Sequence, residues 1–215
     1  MGRVAAGDRR QQLIEAAIRV AERDGIAATT TRRIAAEAGA SLASVHYCFR
    51  SKQELLQEVL TAIITELAEA ARGEVRPGID AGTLLREGLQ ALWVIVEKEP
   101  GKQQLTYELT HYALRQPGMD SFALWQYEMS YAACSAHLEA IAAAAGITWS
   151  RPMPVLARML MTVIDGVVLG WLVDRDSPAA LAALVSLADL LATLAVTPPS
   201  DELEGAALDG DLSPG

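Results

Sequence analysis

Residues 29–60 read TTTRRIAAEAGASLASVHYCFRSKQELLQEVL. This stretch has the pattern of a helix-turn-helix, because Ala35 is small where two helices would cross and Gly39, four residues later, tolerates the positive φ of a tight turn. An ordinary helical hairpin in a protein core has the same pattern, so the motif alone leaves both interpretations open. Apolar residues recur where they would hold the two helices together: Ile34, Ala38, Ala40, Val45 and Cys48.

Helix signals on both sides of the motif predict four helices in the first third of the chain. Gly25 is placed to end the first helix, and the hydroxyls of Ser41 and Ser51 can cap the third and fourth. The predicted helices run from about residue 8 to 24, from 29–31 to 38, from 41 to 49 and from 52 to 72.

The rest of the chain continues the helical pattern. Proline and glycine interrupt it at 72–78, 100–101 and 117–118. The apolar residues, 51% of the chain, are dominated by Ala and Leu, which favour helices, while strand-like runs are few. The sequence therefore predicts an all-α protein of about nine helices, of which the last five cover about 81–99, a segment ending near 115, 119–145, 152–175 and 177–195.

The net charge of −9 is distributed unevenly. Residues 1–53 contain nine basic and five acidic side chains, a net charge of +4, so the remainder carries −13. Because phosphate contacts are local and charge interactions are screened over about 10 Å, a basic module on an acidic body is compatible with binding a polyanion.

Two further features indicate a cytoplasmic protein that does not span a membrane. Cys48 and Cys134 are far apart and lack metal-like spacing, and the N-terminus lacks an apolar signal core. The most apolar stretch, 153–173, is interrupted by Arg158 and Asp165, so we expect a buried or interface helix there.

Enzyme motifs are missing from the sequence. It contains no His-Glu-x-x-His, paired Cys-x-x-Cys, phosphate loop or nucleophile elbow, and the histidines at 46, 111 and 137 are dispersed. We therefore expect no catalytic residue, metal or cofactor, and an all-helical enzyme is the weaker alternative.

Residues 10–60 resemble the DNA-binding signature of the TetR family of transcription regulators. The shared features are the threonines, Ile-Ala, Ala-Gly, an aromatic recognition helix, Phe, and Ser-Lys-x-Glu-Leu-Leu. The resemblance implies a three-helix helix-turn-helix DNA-binding domain in residues 1–52 and a larger helical domain in 53–197 that dimerises and binds an effector. The acidic residues 198–215 are expected to be a disordered tail.

The resemblance also implies roles for residues in the motif. Thr31, Tyr47 and Lys52 correspond to phosphate contacts, and the remaining set faces bases. His46 stands where tyrosine is commoner and Cys48 where His or Tyr is usual, which leaves the role of His46 open. The residues implied to face bases are Arg32, Leu42, Ala43, Ser44 and His46.

The basic N-terminus allows two interpretations. Arg3, Arg9 and Arg10 either contact the adjacent DNA backbone or minor groove, or belong to a solvated, frayed terminus.

The last two long helices resemble the pair that forms a four-helix dimer bundle in this family. Gly166 and Gly170, four residues apart, permit close helix approach, but an intramolecular core would produce the same apolar pattern. The predicted seam comprises Ile164, Gly166, Val167, Gly170 and Trp171 with Leu184, Leu187 and Leu191.

Large side chains in the central helices suggest an effector pocket, although each alone is commoner as core packing. A mostly apolar cavity with a few polar groups predicts a small apolar or aromatic effector. The candidate lining residues are Trp93, Tyr107, Glu108, His111, Trp125, Tyr127, Asp165 and Trp171.

Together these features predict a homodimeric repressor that an effector releases from a palindromic operator. A ligand-independent DNA-binding protein of the same fold is the main alternative.

Overall fold

The computed structural model describes residues 6–198. Within them the chain is almost entirely helical, which confirms the predicted all-α class with nine helices. The helices are α1 (Ala6–Asp24), α2 (Thr31–Glu37), α3 (Leu42–Cys48), α4 (Lys52–Gly73), α5 (Ala81–Lys98), α6 (Pro100–Arg115), α7 (Asp120–Ala145), α8 (Met153–Asp174) and α9 (Ser177–Ala192). Arg3 and residues 199–215, and with them the predicted disordered tail, lie outside the described residues.

Short polar side chains start several of these helices. The Oγ of Ser41 accepts a hydrogen bond from the Ser44 amide at 3.1 Å, and that of Ser51 accepts one from the Glu54 amide at 3.1 Å. Each bond satisfies an amide that has no partner inside the helix. The predicted caps of α3 and α4 are therefore confirmed.

The end of α9 differs from the prediction. The helix ends at Ala192 rather than near residue 195, because Ala195–Val196 (β2) pairs antiparallel with Thr148–Trp149 (β1). Trp149 lies opposite Ala195 in this register. A strand of two residues is too short to show an alternating pattern, so periodicity could not reveal it.

Two groups of buried apolar side chains form the core. The N-terminal cluster unites α1 to α4 with one face of α6 and the start of α7. The C-terminal cluster unites α5, the end of α7, α8 and α9. Packing is thus continuous across residues 52 and 53, where the sequence predicts a domain boundary, and that boundary stays a prediction.

Among the described residues, α8 is the one helix whose length and composition would allow it to cross a membrane. It packs instead against α7 and α9, with Leu156, Leu160 and Trp171 buried in the C-terminal cluster. Arg158 and Asp165 interrupt its apolar sequence, as the prediction of a buried or interface helix requires.

Candidate nucleic-acid interface and internal cavity

The second and third helices form a helix-turn-helix. Ile34, Ala35 and Val45 are buried where the two helices meet. Gly39 has φ +59° in the turn, and the Ala40 amide donates a hydrogen bond back to the Ala35 carbonyl at 2.8 Å. The small residue and the glycine thus have the structural roles that their spacing predicts.

One face of α3 points into solvent. Leu42, Ala43 and His46 are exposed, and the Tyr47 side chain has 84% of its surface accessible. A fully buried Val45 on the opposite face anchors the helix. An apolar anchor below and an open face above is the arrangement that allows a short helix to enter a DNA groove.

The other residues predicted to contact DNA differ in exposure. Arg32 is exposed at the start of α2, whereas Thr31 beside it is half-buried. Ser44 is half-buried too, and its Oγ lies 2.9 Å from the Oγ of Ser41, so a base contact would compete with this bond.

Lys52, whose predicted role is a phosphate contact, also makes contacts inside the protein. Its ammonium is half-buried, donates a hydrogen bond to the Ile26 carbonyl at 3.4 Å, and lies 5.8 Å from the centre of the Tyr112 ring. Burial lowers the pKa of Lys52. The ammonium is therefore engaged where the loop after α1 meets α6, a contact between distant segments that local sequence does not reveal.

Ion pairs divide the basic side chains of this region into two sets. Arg33 pairs with Asp24 at 3.2 Å, and Arg19 and Arg23 both pair with Glu37 at 3.0 Å. Among residues 6–198, the exposed Arg32 has no ion pair. Arg32 therefore keeps its charge free for another anion, while the neighbouring Arg33 is partly neutralised.

Arg10 makes intramolecular contacts that neither interpretation of the basic N-terminus predicts. Its guanidinium donates to the Cys48 carbonyl and pairs with Glu54 at 3.2 Å and Glu58 at 2.7 Å. It also lies 4.5 Å from the centre of the Phe49 ring. Arg10 thus holds the end of α3 against α4, whereas Arg9 is half-buried and keeps the predicted alternatives open.

An internal cavity of about 110 Å³ lies among α4, α5, α6, α7 and α8. Three of the eight residues proposed from sequence line it: Tyr107, Tyr127 and Asp165. Most of the remaining wall is aliphatic. The cavity has the size of a single ring compound, since voids near 150 Å³ accept benzene.

Asp165 is the acidic group of the cavity. The Tyr127 hydroxyl donates to its Oδ2 at 3.1 Å, and the Tyr107 hydroxyl donates to its backbone carbonyl at 2.9 Å and lies 3.5 Å from its Oδ1. Burial raises the pKa of Asp165, although both tyrosine hydrogen bonds oppose that shift. Burial, with the charge of Asp165, also raises the pKa of Tyr127 to about 12.

Sequence reasoning missed several polar residues of the cavity, and two of them have polar atoms without a partner. Gln103 and His137 are 6% and 7% exposed, and the side-chain amide of Gln103 and both ring nitrogens of His137 lack hydrogen-bond partners among the described residues. Burial, together with the charge of Arg72, lowers the pKa of His137 to about 4. A lone polar residue on a helix gives no sequence signal that distinguishes a cavity wall from a surface.

The other five candidate pocket residues lie elsewhere. Trp93 and Trp171 pack edge to face in the C-terminal cluster, 5.2 Å between ring centres, and Trp125 packs on Phe122 at 5.8 Å. Large aromatic rings favour such core contacts because they bury much apolar area. The remaining two are polar groups outside the cavity lining: Glu108, which accepts a hydrogen bond from Gln104, and the exposed His111.

The predicted dimer seam also needs correction. Trp171 is buried in the protomer's own C-terminal cluster, Val167 is half-buried against it, and Ile164 lines the cavity. Gly166 and Gly170 are exposed. Leu184, Leu187 and Leu191 are buried inside the protomer. They therefore have almost no accessible surface that a partner subunit could cover, so they do not belong to the seam.

A different stripe of exposed residues lies along the outer face of the last two helices. On α8 one row of exposed positions recurs at alternating steps of four and three, the spacing of a helix-packing seam. The same spacing recurs on α9. The outer-face stripe consists of Val155, Met159, Thr162, Gly166, Leu169 and Val173 on α8, with Ala179, Ala183, Ser186 and Leu190 on α9 and Thr193 directly after it.

Known proteins are similar to this chain in fold and in sequence. The family model described as bacterial regulatory proteins, tetR family, matches residues 13–59. A transcriptional regulator from Rhodococcus sp. Rha1, 20% identical, superposes with a TM-score of 0.67 over 88% of this chain and 99% of its own, which shows the fold.

Two relatives are more similar in sequence. The multidrug binding protein EbrR, solved in complex with imidazole, is 29% identical with a TM-score of 0.58, covering 90% of this chain and 98% of that one. The HTH-type nicotine-responsive transcriptional repressor HdnoR of Paenarthrobacter nicotinovorans is 31% identical over 176 residues, 82% of this chain and 90% of the relative. With its helix-turn-helix and helical body, the chain therefore belongs to the TetR family of bacterial DNA-binding transcription regulators.

Proposed function

We propose that the protein is a repressor that binds a two-fold symmetric operator as a homodimer and leaves it when a small effector enters the internal cavity. The observation that carries this proposal is the open face of α3 beside Arg32, which has no ion pair among the described residues, in a chain whose helical body contains a cavity. The relative HdnoR is named as a nicotine-responsive repressor and EbrR as a multidrug binding protein, which supports both parts of the proposal.

The small number of base pairs that one recognition helix contacts supports a dimer. A single short helix contacts too few base pairs to select one site in a genome, whereas two related helices double the site. Their α3 helices would enter successive major grooves about 34–36 Å apart. The outer-face stripe of α8 and α9 is the surface that we assign to the partner subunit.

Two helices are suited to couple the cavity to DNA binding. The α4 helix begins directly after the helix-turn-helix and lines the cavity with Ile63 at its middle and Ala71 near its other end. The α6 helix lines the cavity with Tyr107, while Leu105 and Leu109 on another face pack in the N-terminal cluster. An effector that prefers a displaced α4 or α6 therefore shifts α3, by no more than its preference for that state.

Selection of bound duplexes from a random DNA pool tests the DNA-binding half. We expect a two-fold symmetric motif from the wild type. Arg32→Ala should relax the preference at one position of each half-site by about 1–3 kcal/mol. Arg33→Ala is the matched control, because it removes the same charge from a side chain already paired with Asp24.

Unchanged preference in Arg32→Ala would contradict the assignment of Arg32 to a base. Fluorescence anisotropy of the selected duplex then measures release, with nicotine and imidazole as first probes. A complex whose affinity no cavity-binding compound alters would identify a ligand-independent DNA-binding protein instead.

A further inference from the structure

We propose that the cavity takes a small organic cation, whose charge lies beside the Asp165 carboxylate and whose apolar body fills the aliphatic remainder. This inference rests on the proposed function, in which the cavity holds the effector. It adds a positive charge to the expected apolar or aromatic effector.

The surroundings of Asp165 contain no positive charge to balance it. Among residues 6–198, no Lys or Arg side chain lies within ion-pair distance of its carboxylate. The titratable groups facing it are Tyr107 from α6 and Tyr127 and Cys134 from α7. Arg158, two turns earlier on α8, is stacked on the Tyr131 ring at 4.6 Å.

The lining contributed by the other two helices is also without charge. The α4 wall contains only Ile, Leu and Ala, and the α5 wall contains only Leu and Val. An anionic ligand would therefore meet a like charge at Asp165 and no Lys or Arg among the lining residues. The charge of Arg72 acts on His137, but Arg72 does not line the cavity. The lining residues thus favour a cation over a carboxylate ligand.

The hydrogen bonds around Asp165 suit an ionised carboxylate. A carboxylate accepts hydrogen bonds at both oxygens, and here the Tyr127 hydroxyl is directed at Oδ2 while the Tyr107 hydroxyl lies near Oδ1. These donors stabilise the charge without cancelling it. Burying an unpaired charge is costly, and a cation of the ligand would remove most of that cost.

The rest of the cavity selects a compact, mostly apolar body. Its volume of about 110 Å³ admits a ring-sized molecule, and the walls are largely aliphatic. The faces of the two tyrosine rings can attract a cation further. Gln103 and His137 offer hydrogen bonds elsewhere in the cavity, and these could raise the affinity of a ligand independently of its charge. The test therefore needs two probes that differ in charge and form no hydrogen bonds.

N-methylpyridinium and toluene form such a pair, each a single ring with one methyl group. They have the same shape, neither donates nor accepts a hydrogen bond, and they differ only by a permanent positive charge. Calorimetric titration of the full chain at pH 7 should show that the wild type binds the cation at least roughly tenfold more tightly than the neutral compound.

Asp165→Asn should abolish this preference while keeping the affinity for toluene. The variant should also be at least as resistant to heat as the wild type at pH 7, because it removes an uncompensated buried charge. Retained neutral-ligand binding with raised stability separates loss of the charge from loss of the fold. Glu128→Gln is the matched control: it removes an exposed carboxylate next to Tyr127 and should leave the preference unchanged.

Three results would overturn the inference: equal affinity of the wild type for both compounds, no binding of the cation at millimolar concentration, or a preference that survives in Asp165→Asn. Fluorescence anisotropy of the operator duplex, which measures its release from the protein, distinguishes failure of the cation inference from failure of the proposed function. Release by neutral compounds alone would leave the effector mechanism standing and refute the cation. Tight cation binding without release would support the cation site and refute the effector mechanism.

Discussion

His137 is a polar side chain in a place where close packing leaves little freedom. A Cβ atom on Gly88 would lie 2.8 Å from the Nε2 of His137, so the ring occupies space that only glycine leaves open. Charging the imidazole there would bury a cation among aliphatic groups, which is why its pKa is lowered to about 4. The folded protein therefore holds His137 neutral at pH values where the unfolded chain protonates it.

This difference makes stability depend on pH. Because the unfolded chain binds the proton near pH 6.5 and the folded protein only near pH 4, the His137 contribution is fully present above pH 6.5 and is lost as the pH falls toward 4. The full loss is roughly 3 kcal/mol. Urea unfolding should show that His137→Gln loses less stability than the wild type between pH 7 and pH 4.5.

Asp165 acts in the opposite direction, because its raised pKa favours the folded protein at low pH. Asp165 is present in both the wild type and His137→Gln, so the difference between their stability curves reports the contribution of His137. His111→Gln makes the same substitution at an exposed histidine and should follow the wild type. Parallel pH curves for His137→Gln and the wild type would refute a buried neutral imidazole.

At the scale of one element, the turn between α2 and α3 depends on backbone conformation rather than on space. Gly39 has φ +59°, and an added Cβ would meet no atom within 4 Å. Any cost of a side chain at this position is therefore the intrinsic cost of the left-handed conformation.

Gly39→Ala should lower the free energy of unfolding by about 1 kcal/mol, and Gly39→Asn by less, because Asn tolerates this conformation better. Gly73→Ala is the control, since Gly73 also has open space around it but does not have a positive φ. There alanine should be neutral or stabilising by up to about 1 kcal/mol. Equal effects at both glycines in urea titrations would contradict the explanation.

At the scale of the whole molecule, two faces of α8 differ in their surroundings. One face packs in the C-terminal cluster, and the other carries the outer-face stripe. Leu169, half of whose surface is accessible, lies at the middle of that stripe, and Val173 is 83% exposed. Apolar side chains so regularly spaced and so open match a surface that a second copy would cover.

Leu169→Glu should therefore convert the dimer into monomers and weaken operator binding, because it places charges at the centre of the interface. Leu124→Glu makes the same change at a leucine that is 60% exposed on α7 and should leave the dimer intact. Sedimentation velocity measures the oligomeric state of both variants. A dimeric Leu169→Glu protein would place the interface elsewhere.

Local chemistry explains how much of this protein its sequence predicts. Caps such as Ser41 and Ser51 and breakers such as Gly25 act within a few residues, so helix positions follow from neighbouring side chains. The helix-turn-helix is equally local, because Ala35, Gly39 and the apolar positions around them lie within one short segment. These features, with the resemblance of residues 10–60, were sufficient to predict the fold class and the family.

Contacts between side chains of distant segments could not be predicted from the sequence, because tertiary structure determines them. Helices α8 and α9 are apolar over most of their surface, so periodicity could not reveal which leucines would be buried. Lys52 and Arg10 are basic in a basic region, but their partners lie on elements 26 or more residues away. The cavity is likewise formed by five helices, and only their packing brings Gln103, His137 and Asp165 to the same space. A helix pattern specifies that a face is apolar, whereas the neighbour that covers it is chosen by the packing of the whole chain.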